Sequence, residues 1–472
     1  MAGLAYPPDR ASPRIADLRS SYGLFIDGDV VEPASGRSLA CVNPATGQTL
    51  AEVAEADQRD VDAAVAAARR AQDRVWGRMP GRERARYVYR IAGIVEERAR
   101  ELAVLEALDT GTPVRRTREV DVPEAAATFF SYAGWADKLA YAGLGPDPRP
   151  AGVAGLILPW YRPLLSLARQ VAPALACGTT VVVKPAGTAP LAALRFAEIC
   201  RQVDLPPGVV NVVCGGEATG AAVAGHPGVD AVSVTGPAEV GRRVAAAVAG
   251  TRTRLSLEPG GPVPLLLFDD APLGEAVEAV VDATVQPPFG VAPHLLVQES
   301  VHDEVLAALT RRMTGLRVGD PLDANTDLGP VSTAARLRHV RDLVTGAEAD
   351  GARRWSPPSD LPDRGYWFPP TVLAGVAPAH RVCHVPVPGP VLPVLTFRTP
   401  DEAVAMAGGG GYGPAAGVWS GDGSRALAVA DRLRAGTVWA NTSHRSDPAA
   451  PAGGYTGYGP GQRHGWEAYL AV

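Results

Sequence analysis

Between residues 152 and 249 the chain repeats one pattern: a short apolar run, then a segment with apolar residues at helical spacing. The runs cover residues 152–158, 179–183, 209–213 and 229–234, and the helical segments 164–176, 190–203, 217–224 and 238–249. Uninterrupted apolar runs of this length describe strands buried on both faces. Alternating such strands with amphipathic helices gives an α/β fold, a parallel sheet covered by helices on each side. A sheet of this type binds a nucleotide at the carboxyl ends of its strands.

The flanking sequence extends the pattern. Residues 24–31, turning at Asp27-Gly28, predict a hairpin, and Asn43-Pro44-Ala45-Thr46-Gly47 a further turn. Helices are predicted over 57–72, where Val61, Ala64, Val65 and Ala68 follow an acidic first turn, and over 82–107 and 122–138. After Glu258-Pro259-Gly260-Gly261, strands at 264–268 and 295–298 and helices at 273–284 and 302–316 begin a second α/β unit. The expected division is 1–134 with 151–258 as a nucleotide-binding-type domain and 259–450 as a catalytic-type domain. Residues 135–150 and 451–472 are left as a shortened bridging segment.

A length of 472 residues calls for more than one such unit. The net charge of −5 gives no support for a phosphate-backbone partner, so nucleic-acid binding is not expected. No run approaches the length of a membrane span, and the first 20 residues have no apolar signal-peptide core. Cys41, Cys177, Cys200, Cys214 and Cys383 have neither paired nor C-x-x-C spacing, which predicts no disulfide framework or zinc site and suits a reducing cytoplasm. His380 and His384 are four apart, but Pro386 and Pro388 follow, so a helical ligand pair, and with it a metal, is not expected. Arg69-Arg70 and the arginines of 115–118 read as solvated charges. Only Lys138 and Lys184 break a uniform use of arginine.

Several segments in a fixed order give the chain a family likeness. They are Gly152-Val153-Ala154-Gly155 with Pro159-Trp160, then Ala172-Pro173-Ala174-Leu175-Ala176-Cys177-Gly178 and Val181-Val182-Val183-Lys184-Pro185. Pro206-Pro207-Gly208-Val209-Val210-Asn211, Val234-Thr235-Gly236, Leu257-Glu258, Gly389-Pro390-Val391 and Gly436-Thr437-Val438-Trp439 follow. Along nearly its whole length the chain resembles the aldehyde dehydrogenase superfamily. The resemblance implies two Rossmann-type doubly wound domains and a small oligomerisation segment. It also implies a reaction in which a thiolate attacks the aldehyde, hydride passes to NAD or NADP, and a glutamate activates water to release the acid.

By that resemblance the nucleophile position falls in Gln286-Pro287-Pro288-Phe289-Gly290 and holds Phe289, with no cysteine between Cys214 and Cys383. Tyr161 stands at the oxyanion asparagine position, and Glu258 matches the general base, which has no thioester to hydrolyse here. Cys383 is the one conceivable substitute thiol, although a lone cysteine is more often a packing residue. The implied cofactor contacts are Trp160, Lys184, Gly236 and Gly241. They are offset by Gly187 at a ribose-gripping glutamate position, Pro237 at a diphosphate-binding serine position, and Pro386 and Pro388 in place of a Glu-x-Phe pair. These losses argue against a firm hold on NAD or NADP.

The resemblance also places the usual pairing hairpin at 139–151, which is short and carries Pro146, Pro148 and Pro150. The C-terminal pairing strand is expected to begin only where the sequence stops. Tyr132-Ala133-Gly134-Trp135-Ala136 and Ala107-Leu108-Asp109-Thr110-Gly111 are similar to a two-module branch in which some members lack the cysteine. The leading expectation is a non-catalytic subunit that forms a hetero-oligomer with a cysteine-bearing aldehyde dehydrogenase. An oxidoreductase with an unconventional site, and a ligand-binding protein using the old aldehyde tunnel plugged by Phe289, are the alternatives.

Overall fold

The computed structural model describes residues 9–142, 148–261, 263–409, 413–443 and 465–471. Two seven-stranded sheets organise the chain. In the first, strands Arg254–Gly260, Ala231–Pro237, Val153–Ile157, Thr180–Lys184 and Val210–Val212 lie side by side and parallel. The hairpin of Leu24–Ile26 and Asp29–Val31 extends this sheet, antiparallel, through Phe25 beside Val212. The second sheet runs Arg353–Trp355, Thr371–Ala374, Val391–Phe397, His294–Gln298, Pro264–Leu267, Gly413–Trp419, Ala435–Ala440, and only its first strand is antiparallel.

The apolar runs become strands because every residue of Val153–Ile157 and of Thr180–Lys184 is buried. Helix Gln58–Arg74 starts where Asp57 and Asp60 form a reciprocal capping box. Helix Pro163–Cys177 ends at Gly178, whose φ of 86° is a left-handed conformation that glycine adopts without strain. Buried apolar residues from 16 to 257 form one core cluster, joined by Leu322, Tyr469 and Leu470, and the clusters around the second sheet draw on 263–439.

Several expectations are corrected. The helix predicted over 82–107 is two helices, Gly81–Glu97 and Ala99–Thr110, parted at Arg98. The second is buried continuously from Leu102 to Thr110, so it must turn into the core, and Arg98 at the bend is held by Glu101. Arg116 is not a solvated charge: its side chain is 15% exposed and lies 3.5 Å from Asp121. Arg69 likewise pairs with Asp230. At the end of the described chain a two-residue strand, Leu470–Ala471, pairs antiparallel with Arg149–Pro150, anchored by buried Tyr469 and Leu470. Pro146 and most of the predicted 451–472 segment lie outside the described residues.

Candidate active site

Across the first sheet the parallel strands follow the order fifth, fourth, first, second, third, so the winding reverses between Val153–Ile157 and Ala231–Pro237. A crevice must open beyond the carboxyl ends of those two strands, because the connections leave them toward opposite faces. Trp160 and Tyr161 follow the first of these strands, Thr235 and Gly236 end the second, and Glu258 lies in the neighbouring Arg254–Gly260. A cleft with ≈ 80 Å³ of free volume is bounded there by Trp160, Tyr161 and Arg162 on one side. Pro287, Gly290, Ser332 and Pro388–Gly389–Pro390 bound the other.

Glu258 is fixed by a hydrogen-bond relay absent from the sequence reading. The Gln170 amide donates to the Thr235 hydroxyl at 2.7 Å, and that hydroxyl donates to Glu258 Oε2 at 2.8 Å. Gln170 lies in helix Pro163–Cys177 beside buried Val171 and Ala172. A lone amide on an apolar helical face has to find a partner, and that was the available signal.

The Phe289 side chain packs against the core cluster containing Leu265, Val280 and Leu295, and it is not among the residues bounding the free volume. Gly290 has φ +71°, and any Cβ there would collide with the Tyr161 ring. Burial, reinforced by the charge of Glu258, holds the Tyr161 phenol well above its ordinary range, so it stays a hydrogen-bond donor.

Beneath Tyr161 lies an ionic cluster that the sequence did not announce. Arg162, in a left-handed conformation at φ 44°, donates to Asp121 at 2.7 Å and to Glu124 at 2.9 Å. Nearby, the Glu106 carboxylate accepts from Leu164 N–H at 2.7 Å, satisfying the first turn of helix Pro163–Cys177, while its other oxygen is buried without a hydrogen bond. Burial, followed by repulsion from Asp121, holds Glu106 far above the usual carboxylate range.

The thiols are elsewhere. All five cysteines are buried, and Cys383 sits in a separate apolar cluster, donating weakly to the Ala377 carbonyl at 3.5 Å. Burial pushes Cys383 up to about 11 and Cys214 up to about 12, so neither is a thiolate near neutrality. His380 and His384 flank the 3-10 turn Arg381–Cys383 and share no helix. Among the described residues no group of three or more His, Cys, Asp or Glu side chains could hold a metal.

The would-be cofactor cleft fits a dinucleotide only in part. Lys184 ends its strand buried, its pKa lowered by that burial, with its stem 3.9 Å from where a Cβ on Gly220 would stand. A Cβ at Gly236 would meet nothing within 4 Å, so the backbone there is approachable, whereas Gly241 packs closely on Leu257. Pro237 is the N-cap of helix Ala238–Val248 and not a first-turn residue, because the strand runs through it, and the helix start has no side-chain cap. A diphosphate fits these groups. The opposite end does not fit a nicotinamide ribose: Pro388, Gly389 and Pro390 offer no carboxylate, and one face of Trp160 is covered by the Arg336 guanidinium at 4.2 Å.

Two parallel-stranded α/β sheets meeting at a switch-point cleft define a dehydrogenase-type architecture. The aldehyde dehydrogenase family model matches residues 30–472, and the chain belongs to that family. It is 36% identical to human retinal dehydrogenase 2 over 460 residues, covering 94% of this chain and 88% of that protein. The NAD-dependent aldehyde dehydrogenase of Sinorhizobium meliloti superposes with a TM-score of 0.92 at 34% identity, covering 99% of this chain and 96% of that one. Betaine aldehyde dehydrogenase from Staphylococcus aureus, solved in complex with NAD+, gives 0.91 at 32% identity, with 98% and 96% covered. Among the described residues no helix is long and apolar enough to cross a membrane.

Proposed function

We propose that this chain is a non-catalytic aldehyde dehydrogenase homologue that serves as a structural or regulatory subunit of a cysteine-bearing aldehyde dehydrogenase. The observation that carries the reading is Phe289, which stands where the resemblance puts the family's thiolate and whose partly buried side chain packs against a hydrophobic core. Tyr161, which stands where the resemblance puts an oxyanion asparagine and whose ring lies close against Gly290, supports it as well. The buried state of all five cysteines supports it too, and suits residence in a reducing cytoplasm. On this reading Glu258, held by Thr235, keeps the strand end in order and activates no water. Residual NAD or NADP affinity would rest on Lys184, Gly236 and the start of helix Ala238–Val248.

Co-expression with a cysteine-bearing paralogue, followed by native mass measurement, tests the assignment. A mixed complex of defined stoichiometry is expected. Recovery of the two chains only as separate species overturns the partner role.

A further inference from the structure

Three arginines sunk into this molecule are compensated by acids or by carbonyls. Arg162 meets Asp121 and Glu124, and Arg195 meets Glu101 and Glu198. Arg84, which pairs with no acid among the described residues, donates to the Ala176 and Met79 carbonyls, the first of them at the negative end of helix Pro163–Cys177.

Arg336 breaks this pattern. It lies in the first turn of helix Ala334–Ala349, the positive end, where a cation is disfavoured. Among the described residues its side chain makes one hydrogen bond, to the Ser332 hydroxyl at 2.8 Å, and stacks over Trp160, and it forms no ion pair. Burial alone draws its pKa down to about 10, with no acid opposing the shift. Both groups it touches, Ser332 and Trp160, border the interdomain cleft.

We propose that Arg336, Ser332 and Trp160 form a binding site for a small organic carboxylate at the mouth of the cleft. The planar guanidinium fork matches a carboxylate in a bidentate pair, and Ser332, which accepts from Arg336, keeps its own proton to donate. Of the other groups around the cleft, Tyr161, Pro388 and Pro390 are apolar, and Arg116 and Arg162 are already paired with Asp121, Asp282 and Glu124. The one cation there left unpaired among the described residues suits a monoanion on a carbon skeleton better than a phosphate dianion, which needs more donors. The site needs neither turnover nor a partner subunit, so it stands or falls apart from the assignment above.

The test is calorimetric titration of the full chain with benzoate, with benzamide as the uncharged isostere and inorganic phosphate as the competing anion. Benzoate is expected to bind saturably, at least about tenfold more tightly than benzamide and than phosphate, with the R336Q variant losing at least about tenfold. Equal affinity for benzoate and benzamide, tighter binding of phosphate, or undiminished binding by R336Q overturns the proposal. Should R336Q not fold, the benzoate–benzamide comparison in the unaltered chain decides alone.

Discussion

The two banks of the cleft have been treated differently. On the first-sheet bank, polar groups remain and are organised: Gln170, Thr235 and Glu258 form a relay, and Arg162 ties Asp121 to Glu124. On the second-sheet bank apolar groups predominate: Phe289 packs against a core cluster, and Pro388 and Pro390 line the wall. The difference follows from what each bank does for the fold. Asp121, Glu106 and Thr235 satisfy buried partners, so removing them leaves orphaned charges or donors. A nucleophile satisfies nothing structural, and its loop can accept a phenylalanine that adds burial.

This contrast can be broken most readily at Arg162. Arg162→Ala leaves Asp121, whose side chain is 2% exposed, with only the longer 3.5 Å contact to Arg116, and is expected to cost about 3 kcal/mol in denaturant unfolding. A loss below about 1 kcal/mol would mean that the ionic cluster is decoration.

Next in size is Phe289→Ala, expected to cost about 1–2 kcal/mol because the ring is only partly buried. The sharper version is Phe289→Cys, which is expected to give a thiol that alkylates with iodoacetamide but produces no aldehyde oxidation. Tyr161 still stands where the resemblance puts the oxyanion asparagine, and loss of one such donor is worth about 10²–10³ in rate. Turnover restored by that single change would place the defect in one residue and not in a whole bank.

A pH effect separates the banks as well. Burial pushes Asp109 up to about 7, against the hydrogen bonds it accepts from Cys41 and from Leu191 N–H. Unfolded, this carboxyl ionises near 4, so between there and pH 7 only the unfolded chain has released the proton. Its contribution to stability is present below about pH 4 and is lost as the pH rises toward 7. Glu106 shifts in the same direction. Thermal melts should therefore fall over this window, and Asp109→Asn should flatten the fall. An unchanged slope in the variant removes Asp109 as its source.

Glu258→Gln is the smallest effect, about 1 kcal/mol from weakening the bond accepted from Thr235.

Much of this layout was legible in the sequence. The strands around Val153–Ile157 and Thr180–Lys184 came directly from uninterrupted apolar runs, and helix Gln58–Arg74 from its acidic start. Phe289, Tyr161 and Glu258 were placed together by family resemblance, and the structure gathers Tyr161 and Glu258 at one strand-end crevice. Hidden were relations between distant residues. Gln170 and Thr235 are 65 positions apart, and Arg162 and Asp121 are 41 apart. Arg336 looked like one arginine among many until its lack of an acid became visible in space.

The most direct test of the account is a turnover assay of the purified chain with NAD and with NADP across aliphatic and aromatic aldehydes. The account predicts no aldehyde-dependent formation of reduced cofactor above the enzyme-free rate. Sustained formation that disappears in Glu258→Gln or Cys383→Ser would contradict it.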